Sequence, residues 1–572
     1  MLSKINVSGK LMLTLLVTAC CFLITYFYFG FYYAEYEALN DSFYSGKLTE
    51  GMPFYSLYFL GNIGVSYLYA LLYQANSTVE WISFILYSYL FVSTVIGLYL
   101  IYELLPNATH VGVKIAIQIS VYLLVFSDHN THFIYTRVSY MVTGLALIGI
   151  LYFFRERGSI KERKWLFVFL NVWFVLGVLT RSESATAVVL LLICFGLYYV
   201  SDLKRLALLF VFPLIVLSIV LGGIAYALNT TTEYYMQVEP EIEAQFCERE
   251  NIVPISEMKT DVDSAKYLMA RNIIWSDPQV LTPQFMRSLI RNEGGLYTNI
   301  RQWKRVYSEV EAIMFRFWHL SFLCLIIGGV IFLMTRPLSR FQFLTWFVFT
   351  MSIWLLTALQ TYTVKINDRS FSPYISIFVF CNLLVLLPLL QNTSRKKVIP
   401  LLLLLLYFFI AHLTYLKEES NQLKSDFNSY KHTVDVISKI AANKYLVVNS
   451  SSCDYLFSSN VPFHPFNFSA FKKLYISDGF NMPFLPYYRR YLEKECDCDM
   501  ADFPSFWEYL KKHKAEVVVV SSKERIAILS NYLKVVHHYD LGLVESDNLS
   551  LSNLQKSDSR GNFTHLKLYR WQ

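Results

Sequence analysis

One acidic residue at a membrane face stands out as a possible catalyst. Asp41 follows the first long apolar run, lies in the sequence Asn40-Asp41-Ser42, and precedes a turn-rich segment. An ionisable group beside or within an apolar span is costly to keep, so its presence suggests a function. A carboxylate at this position could act as a general base on a hydroxyl arriving from water. The alternative interpretation is a solvated loop carboxylate.

A second candidate segment lies between two apolar runs and combines a carboxylate with imidazoles. It contains Asp128, His129 and His132 between the runs at 112–128 and 136–154. Asp and His side chains can share protons or bind a divalent cation such as Mg²⁺ or Mn²⁺, which would stabilise a phosphate leaving group. Their spacing matches no established metal motif, and a hydrogen-bonded polar turn remains an alternative.

Four cationic residues fall at the ends of apolar runs: Arg137, Arg181, Lys365 and Arg369. Arginine matches phosphate oxygens with a forked pair of donors, and lysine adds a mobile point charge. Each residue alone could be an interfacial side chain that extends towards water. Together, beside the acidic loops, they predict a phosphate-binding site next to a general base.

The elements that position these residues must be membrane helices. The 572 residues are 55% hydrophobic and 16% charged, which is too apolar for one soluble domain. The apolar residues form runs of roughly 18 to 23 residues, enough for about eleven spans of a hydrocarbon core. The net charge of +7 is spread over short loops rather than one stripe, which argues against nucleic acid as a partner.

Loop charges predict the sidedness of the chain. The loop at 155–164 contains five basic residues and should be cytoplasmic, whereas the loop at 34–80 begins acidic and should lie outside. Four apolar stretches, at 57–75, 81–104, 112–128 and 136–154, lie between the acidic residues at 35–50 and the loop at 155–164, although opposite sides require an odd number of crossings. The stretch at 57–75 is interrupted by glycines, so we predict that it forms a surface helix on the outer face.

The resulting organisation has two domains. Residues 1–416 form the predicted transmembrane domain, with a further long outside loop at 229–316. Residues 417–572 contain charged helix-like stretches and short apolar runs at 444–449, 516–521 and 564–570. Such a pattern predicts a small extracytoplasmic α/β domain.

This layout resembles the GT-C superfamily of membrane glycosyltransferases, which use polyprenyl-phosphate-linked sugars. Asp41, the surface helix, Asp128 and the C-terminal domain correspond in order to features of that class, and the first-loop sequence is similar to that of bacterial envelope members. The sequence lacks two adjacent acidic residues in the first loop, so Asp41, Glu35 and Glu37 all remain candidates for the base. It also lacks the Trp-Trp-Asp triplet of oligosaccharyltransferases.

The resemblance implies an inverting glycosyltransferase in a bacterial inner membrane. It implies transfer from a polyprenyl-phosphate-linked sugar to a hydroxyl of a glycan, lipid or protein acceptor on the extracytoplasmic face, among membrane lipids. The catalytic residues would be Asp41 and Asp128, and the substrate-binding residues Arg137, Arg181, Lys365, Arg369, His129 and His132. Alternatives are a polymerase of lipid-linked oligosaccharides and a flippase or transporter of lipid-linked glycans. Transporters usually place ionisable groups near the bilayer midplane.

Overall fold

The structure is a computed structural model of the full chain. It describes residues 7–33, 69, 71–72, 74–76, 79–156, 159–200, 202–230, 253–272, 274, 277, 282–289, 300–334, 340–363, 368–391, 395–448, 473–476, 492–498, 502–546, 556–557, 563–564 and 566–571. The predicted surface helix at 57–75 therefore lies largely outside the described residues.

Helices dominate the described part of the chain. In chain order they are α1 Val7–Tyr28, α2 Trp81–Leu104, α3 Val111–Val121, α4 Ser127–Thr131, α5 Tyr135–Phe154, α6 Ser159–Glu162, α7 Lys164–Thr180, α8 Ser182–Tyr199, α9 Leu203–Thr230, α10 Asp261–Arg271, α11 Pro283–Ser288, α12 Ile300–Arg316, α13 Trp318–Met334, α14 Arg340–Thr363, α15 Asp368–Gln391, α16 Arg395–Ile440, α17 Phe503–Lys512 and α18 Lys523–His537. A π-helical turn, Tyr122–Phe126, joins α3 to α4.

The strands are short and mostly C-terminal. They are β1 Tyr32–Tyr33, β2 His132–Phe133, β3 Tyr445–Val448, β4 Lys473–Ile476, β5 Val517–Ser522, β6 Leu543–Glu545, β7 Lys556–Ser557, β8 Phe563–Thr564 and β9 Leu566–Trp571. The chain divides into two compact units, the first comprising Met1–Ala34, Ser83–Ala225 and Asn299–Lys424, and the second comprising Glu35–Ile82, Tyr226–Thr298 and Ser425–Gln572.

The length and composition of the helices are consistent with a polytopic membrane protein. Among the described residues, seven helices are long and apolar enough to cross a membrane, or eight if the bent pair at Phe317 counts as one span. Two shorter apolar helices, Lys164–Thr180 and Phe343–Leu359, add to these. The mostly helical class predicted from the sequence is confirmed, and the seven candidate spans are consistent with a polytopic protein. The individual spans, the count of eleven and the assignment of sides remain predictions.

Helix α5 forms the core of the first unit. Nearly all of its side chains are buried, as expected for a helix that is apolar around its whole circumference and is surrounded by others. Its neighbour α7 approaches closely at Gly177, where an added Cβ would lie 2.8 Å from the backbone nitrogen of Thr143. A glycine is required there because the two backbones leave no room for a side chain.

A pair of two-residue strands connects the end of α1 to the polar segment predicted around Asp128. β1 and β2 run parallel, with Tyr32 opposite His132 and Tyr33 opposite Phe133. The hydroxyl of Ser420 on α16 donates to the carbonyl of Phe29, just before β1. The ends of α1 and α4 therefore meet the middle of α16 at one end of the first unit.

The second unit contains a five-stranded mixed sheet in the order β4-β3-β5-β9-β6. β4, β3 and β5 are parallel, and β9 and β6 are antiparallel to their neighbours. Each of the three short apolar runs singled out in the sequence overlaps one of these strands, β3, β5 or β9. Within the same unit, Asp277 is fully buried and accepts hydrogen bonds from Tyr532 (2.9 Å) and His537 (2.5 Å) of α18. This contact ties the segment after α10 to α18.

Replacing the glycine at the α5–α7 contact tests this packing. We expect Gly177→Ala to destabilise the first unit by about 1–3 kcal/mol, because the new methyl group must displace backbone. The measurement is the melting temperature of the purified protein in detergent. Gly222→Ala on α9 is the matched control, since nothing lies within 4 Å of a Cβ there. Equal melting temperatures for the two variants would contradict the close contact.

Candidate functional site

The polar segment between α3 and α5 is folded into the interior of the first unit. Asp128, His129, Asn130 and Thr131 form α4, and each is at most 3% exposed. The preceding π turn contains one more residue per turn than an α-helix, and such turns often occur at functional sites. The carbonyl of Leu123, in this turn, accepts a hydrogen bond from the hydroxyl of Ser127 (2.6 Å).

Three donors surround the carboxylate of Asp128. Its Oδ1 lies 2.8 Å from His132 Nδ1, and its Oδ2 accepts from Arg137 Nη1 at 2.8 Å. The hydroxyl of Ser372, on α15, also donates to Oδ2. A carboxylate held by a guanidinium and two further donors is stabilised in its ionised form. This geometry suits Asp128 to orienting Arg137 and His132, more than to accepting a proton itself.

The ionic contacts continue from His132 to α16 and to the end of α12. His132 Nε2 lies 3.4 Å from Glu419 Oε2, and Arg316 Nη2 lies 3.3 Å from Glu419 Oε1. We call the chain Arg137–Asp128–His132–Glu419–Arg316 the ionic chain. Its charges alternate in sign, as buried charges must if each is to be compensated.

The protonation of the ionic chain follows from its contacts. Burial alone would lower the pKa of His132, which lies between two apolar helices, but the carboxylates of Asp128 and Glu419 outweigh burial and raise that pKa. The hydrogen bond from His132 lowers the pKa of Glu419 in spite of its partial burial, and Arg316 adds to this effect. With His132 protonated, the ionic chain has three cations and two anions, which leaves one positive charge in excess.

A second arginine reaches the same helix start. Arg181 joins α7 to α8, and its Nη1 donates to the hydroxyls of Tyr135 (3.0 Å) and Thr136 (2.8 Å), the two residues before Arg137. Its Nε lies 3.5 Å from Glu183, whose side chain is 56% exposed. The structure thus brings two of the four predicted phosphate-binding cations, Arg137 and Arg181, to the N-terminus of α5.

Histidines surround the buried side of the ionic chain. His129 is 1% exposed, and neither of its ring nitrogens has a hydrogen-bond partner. Nearby, His412 Nδ1 lies 2.9 Å from His319 Nε2, and the ring of His319 lies 4.9 Å from that of Tyr415. Among the described residues, no group of three His, Cys, Asp or Glu is arranged to hold a metal ion. The divalent cation considered from the sequence therefore remains a prediction without a described set of ligands.

The remaining predicted residues are placed only in part. Asp41 and Lys365 lie outside the described residues. The backbone of Arg369 is described as part of α15, and Ser372, which contacts Asp128, follows three residues later on that helix. Sequence reasoning missed Ser372, Arg316 and Glu419. The available signal was weak: Arg316 and Glu419 are ionisable residues next to apolar runs, on the side that the loop charges assign to the outside.

At the opposite ends of the helices, basic side chains contact single acidic groups or backbone carbonyls. Lys10 Nζ lies 2.9 Å from Glu103, Lys114 Nζ donates to the carbonyl of Leu105, and Arg205 Nε donates to the carbonyl of Phe154. Basic side chains therefore cover the ends of α2 and α5 that lie away from the ionic chain. This distribution is the one that the predicted cytoplasmic face requires.

Comparisons with protein-family models, with curated proteins and with solved structures find no match for this chain. The described residues are consistent with a polytopic helical membrane protein and contain the ionic chain, buried at Asp128 and Arg137 and exposed at Arg316.

A double-mutant cycle tests the Asp128–Arg137 pair. We expect Asp128→Asn to cost about 3–5 kcal/mol of stability, because it leaves the charge of Arg137 buried and uncompensated. Adding Arg137→Gln should recover part of that loss, with a coupling of about 0.5–3 kcal/mol. Unfolding in detergent measures all three variants. Arg155→Gln, at the opposite helix ends, should change stability by about 0.5 kcal/mol or less; strictly additive losses at Asp128 and Arg137 would contradict the pairing.

The His132–Glu419 contact predicts a pH window of stability. A raised pKa means that the contribution of protonated His132 is complete below its ordinary value of 6.5 and is lost as pH rises through the raised value. A lowered pKa means that the contribution of Glu419 is complete above its ordinary value of 4.5 and is lost as pH falls through the lowered value. Both contributions are thus complete between pH 4.5 and 6.5.

We expect His132→Gln to lower the free energy of unfolding by about 1–3 kcal/mol inside that window, where the melting temperature should fall most. The loss of stability as pH rises above the window should also become less steep. The matched control is His432→Gln, an exposed histidine on α16. An alkaline decline of unchanged slope in the His132 variant would show that this residue is not the titrating group.

Proposed function

We propose that the protein is a membrane glycosyltransferase that moves a sugar from a polyprenyl-phosphate-linked donor to an acceptor hydroxyl. The observation that supports this most is the pair of arginines at the start of α5: Arg137, which Asp128 holds within the ionic chain, and Arg181 beside it. Buried charge in a membrane unit is retained at a cost, so it is expected to serve binding or catalysis. A lipid phosphate is a suitable partner, since it is anionic and remains at the membrane surface.

In the proposed reaction, the acceptor oxygen attacks the anomeric carbon from the side opposite the phosphate. The bond between that carbon and the phosphate oxygen breaks, its electron pair leaves with the lipid phosphate, and the configuration inverts. Asp41 takes the proton of the acceptor hydroxyl. Arg137, Arg181, Lys365 and Arg369 offset the negative charge that develops on the leaving phosphate.

Asp128 and the histidines have supporting roles in this proposal. Asp128 holds Arg137 and His132 in fixed orientations, so it acts as a positioning residue in addition to contributing charge. His132 would contact the polar headgroup of the donor, whereas His129 is buried and would support the site from the interior. A divalent cation would supply further charge stabilisation to the phosphate, and the test below includes it as a variable.

The placement of the charges also bears on the alternatives. A transporter of lipid-linked glycans is expected to hold ionisable groups near the bilayer midplane on broken helices. The ionic chain instead lies where α4, α12 and α15 begin or end, which favours chemistry at a membrane face. A polymerase of lipid-linked oligosaccharides would use the same donor-side chemistry and differ only in its acceptor, which would itself be lipid-linked.

Reconstituted protein tests the proposal directly. Vesicles would contain a panel of radiolabelled polyprenyl-phosphate sugars, with free glycans, lipid-linked glycans or peptides as acceptors, each with Mg²⁺, with Mn²⁺ or with EDTA. We expect donor-dependent release of polyprenyl phosphate and transfer of label. Asp41→Asn should lose transfer at least about a hundredfold, as general bases contribute 10²–10⁴-fold, while keeping its melting temperature.

Two controls sharpen this experiment. Arg181→Gln should weaken donor use, whereas Arg155→Gln, an arginine at the opposite helix ends that contacts Tyr199, should leave it unchanged. Full activity of Asp41→Asn would remove Asp41 from the mechanism. Movement of an intact glycan lipid between leaflets, without any bond cleavage, would replace the transferase with a transporter.

A further inference from the structure

Helix α12 is the most amphipathic element next to the ionic chain, and only part of its apolar surface is covered. Val306 and Ile313 are buried, and α12 packs on α14 within the first unit. The residues Trp303, Tyr307, Val310 and Met314 are spaced by four, three and four. At 100° per residue these four lie within an arc of about 60°, directly beside the buried pair.

This second flank is apolar and open. Trp303 is 47% exposed and Tyr307 is 70% exposed, while Val310 and Met314 are half-buried. The polar residues of α12 occupy the other side, where Lys304, Ser308 and Glu311 are exposed. In the last turn this side also carries Phe315, which is 67% exposed. A helix with one packed face, one open apolar flank and one polar face has the pattern of an interfacial helix.

The bend after α12 sets the direction of α12 relative to the next helix, α13. The chain turns by 90° at Phe317 between α12 and the apolar helix α13. The apolar helix α13 has 17 residues and no Asp, Glu, Lys or Arg, which is about the shortest length that crosses a hydrocarbon core. With α13 placed across the bilayer, a helix at a right angle to it lies parallel to the membrane surface. On α13 itself, Trp318, Phe322 and Leu325 are 36%, 52% and 43% exposed at helical spacing, so an apolar stripe continues around the bend.

We propose that α12 is an interfacial helix whose flank Trp303–Tyr307–Val310–Met314 inserts into the lipid of the leaflet at the ionic-chain end of the bundle. The partner is bilayer lipid at the boundary between headgroups and acyl chains, where Trp and Tyr are enriched. The flank reaches about 5–10 Å into the lipid, as interfacial helices do. Lys304 remains at headgroup level on the polar side.

The insertion has a consequence for the neighbouring site. Arg316 is the last residue of α12 and contacts Glu419 of the ionic chain. Because α12 is held by lipid on one side and ends at this contact, the lipid surface fixes the depth at which the ionic chain lies. This inference is independent of the proposed glycosyltransferase activity.

Spin labels at single positions of α12 test the inference in vesicles of phosphatidylethanolamine and phosphatidylglycerol. A label coupled to p-acetylphenylalanine avoids the nine native cysteines of the chain. The label would be placed by Tyr307→p-acetylphenylalanine or Val310→p-acetylphenylalanine on the apolar flank. Lys304 and Ser308, replaced in the same way, provide matched controls on the polar side of the same helix.

We expect the ratio of collisions with oxygen to collisions with a water-soluble nickel chelate to reverse between the two sides. Oxygen should dominate at positions 307 and 310, and the nickel chelate at positions 304 and 308. Dominance of the nickel chelate at all four positions would overturn the proposal, as would oxygen dominance at all four. The melting temperature of each labelled protein is compared with that of the unlabelled protein. If a variant is misfolded, the label is moved to the neighbouring position on the same flank.

Discussion

The need to compensate a buried carboxylate determines how one end of the first unit is assembled. Asp128 has almost no access to water, so its charge must be met by donors from the protein. Arg137, at the start of α5, and Ser372, on α15, both donate to Asp128. His132 contacts Asp128 on one side and Glu419 of α16 on the other. Elements far apart in the chain are thereby fixed at one level of the bundle, and removing any of these donors would leave a charge or polar group unmatched in an apolar environment.

The same constraint gives the two ends of the bundle different chemistry. At one end acidic and basic groups alternate within the interior, which holds arginines at defined positions and suits the recognition of a phosphate. At the other end, basic side chains contact single acidic groups or helix carbonyls. Between the two ends, close contacts such as Gly177 against Thr143 keep the helices at a fixed distance, because no flexible side chain separates their backbones.

The sequence predicts the helices well, since the length of an apolar run is a local property that the bilayer sets. It also identifies the Asp128–His132 segment, whose polar residues stand out between apolar runs. The partners of that segment are less accessible: Ser372 is 244 residues from Asp128 in the chain, and an isolated serine near a helix start has no distinctive pattern. Glu419 stands beside Glu418 after an apolar run, and only the folded chain shows which of the two meets His132. Asp41 and Lys365, outside the described residues, remain predictions.

The π turn at Tyr122–Phe126 has a consequence for which sequence changes the site can accept. A π turn accommodates one residue more than an α turn over nearly the same rotation, so it keeps α4 in register with α3; removing one residue from α3 itself would instead rotate α4 by about 100°. Asp128 would then point away from Arg137, although no residue of the ionic chain had been altered. The orientation of the site therefore depends on the number of residues between α3 and Asp128 as well as on their identity.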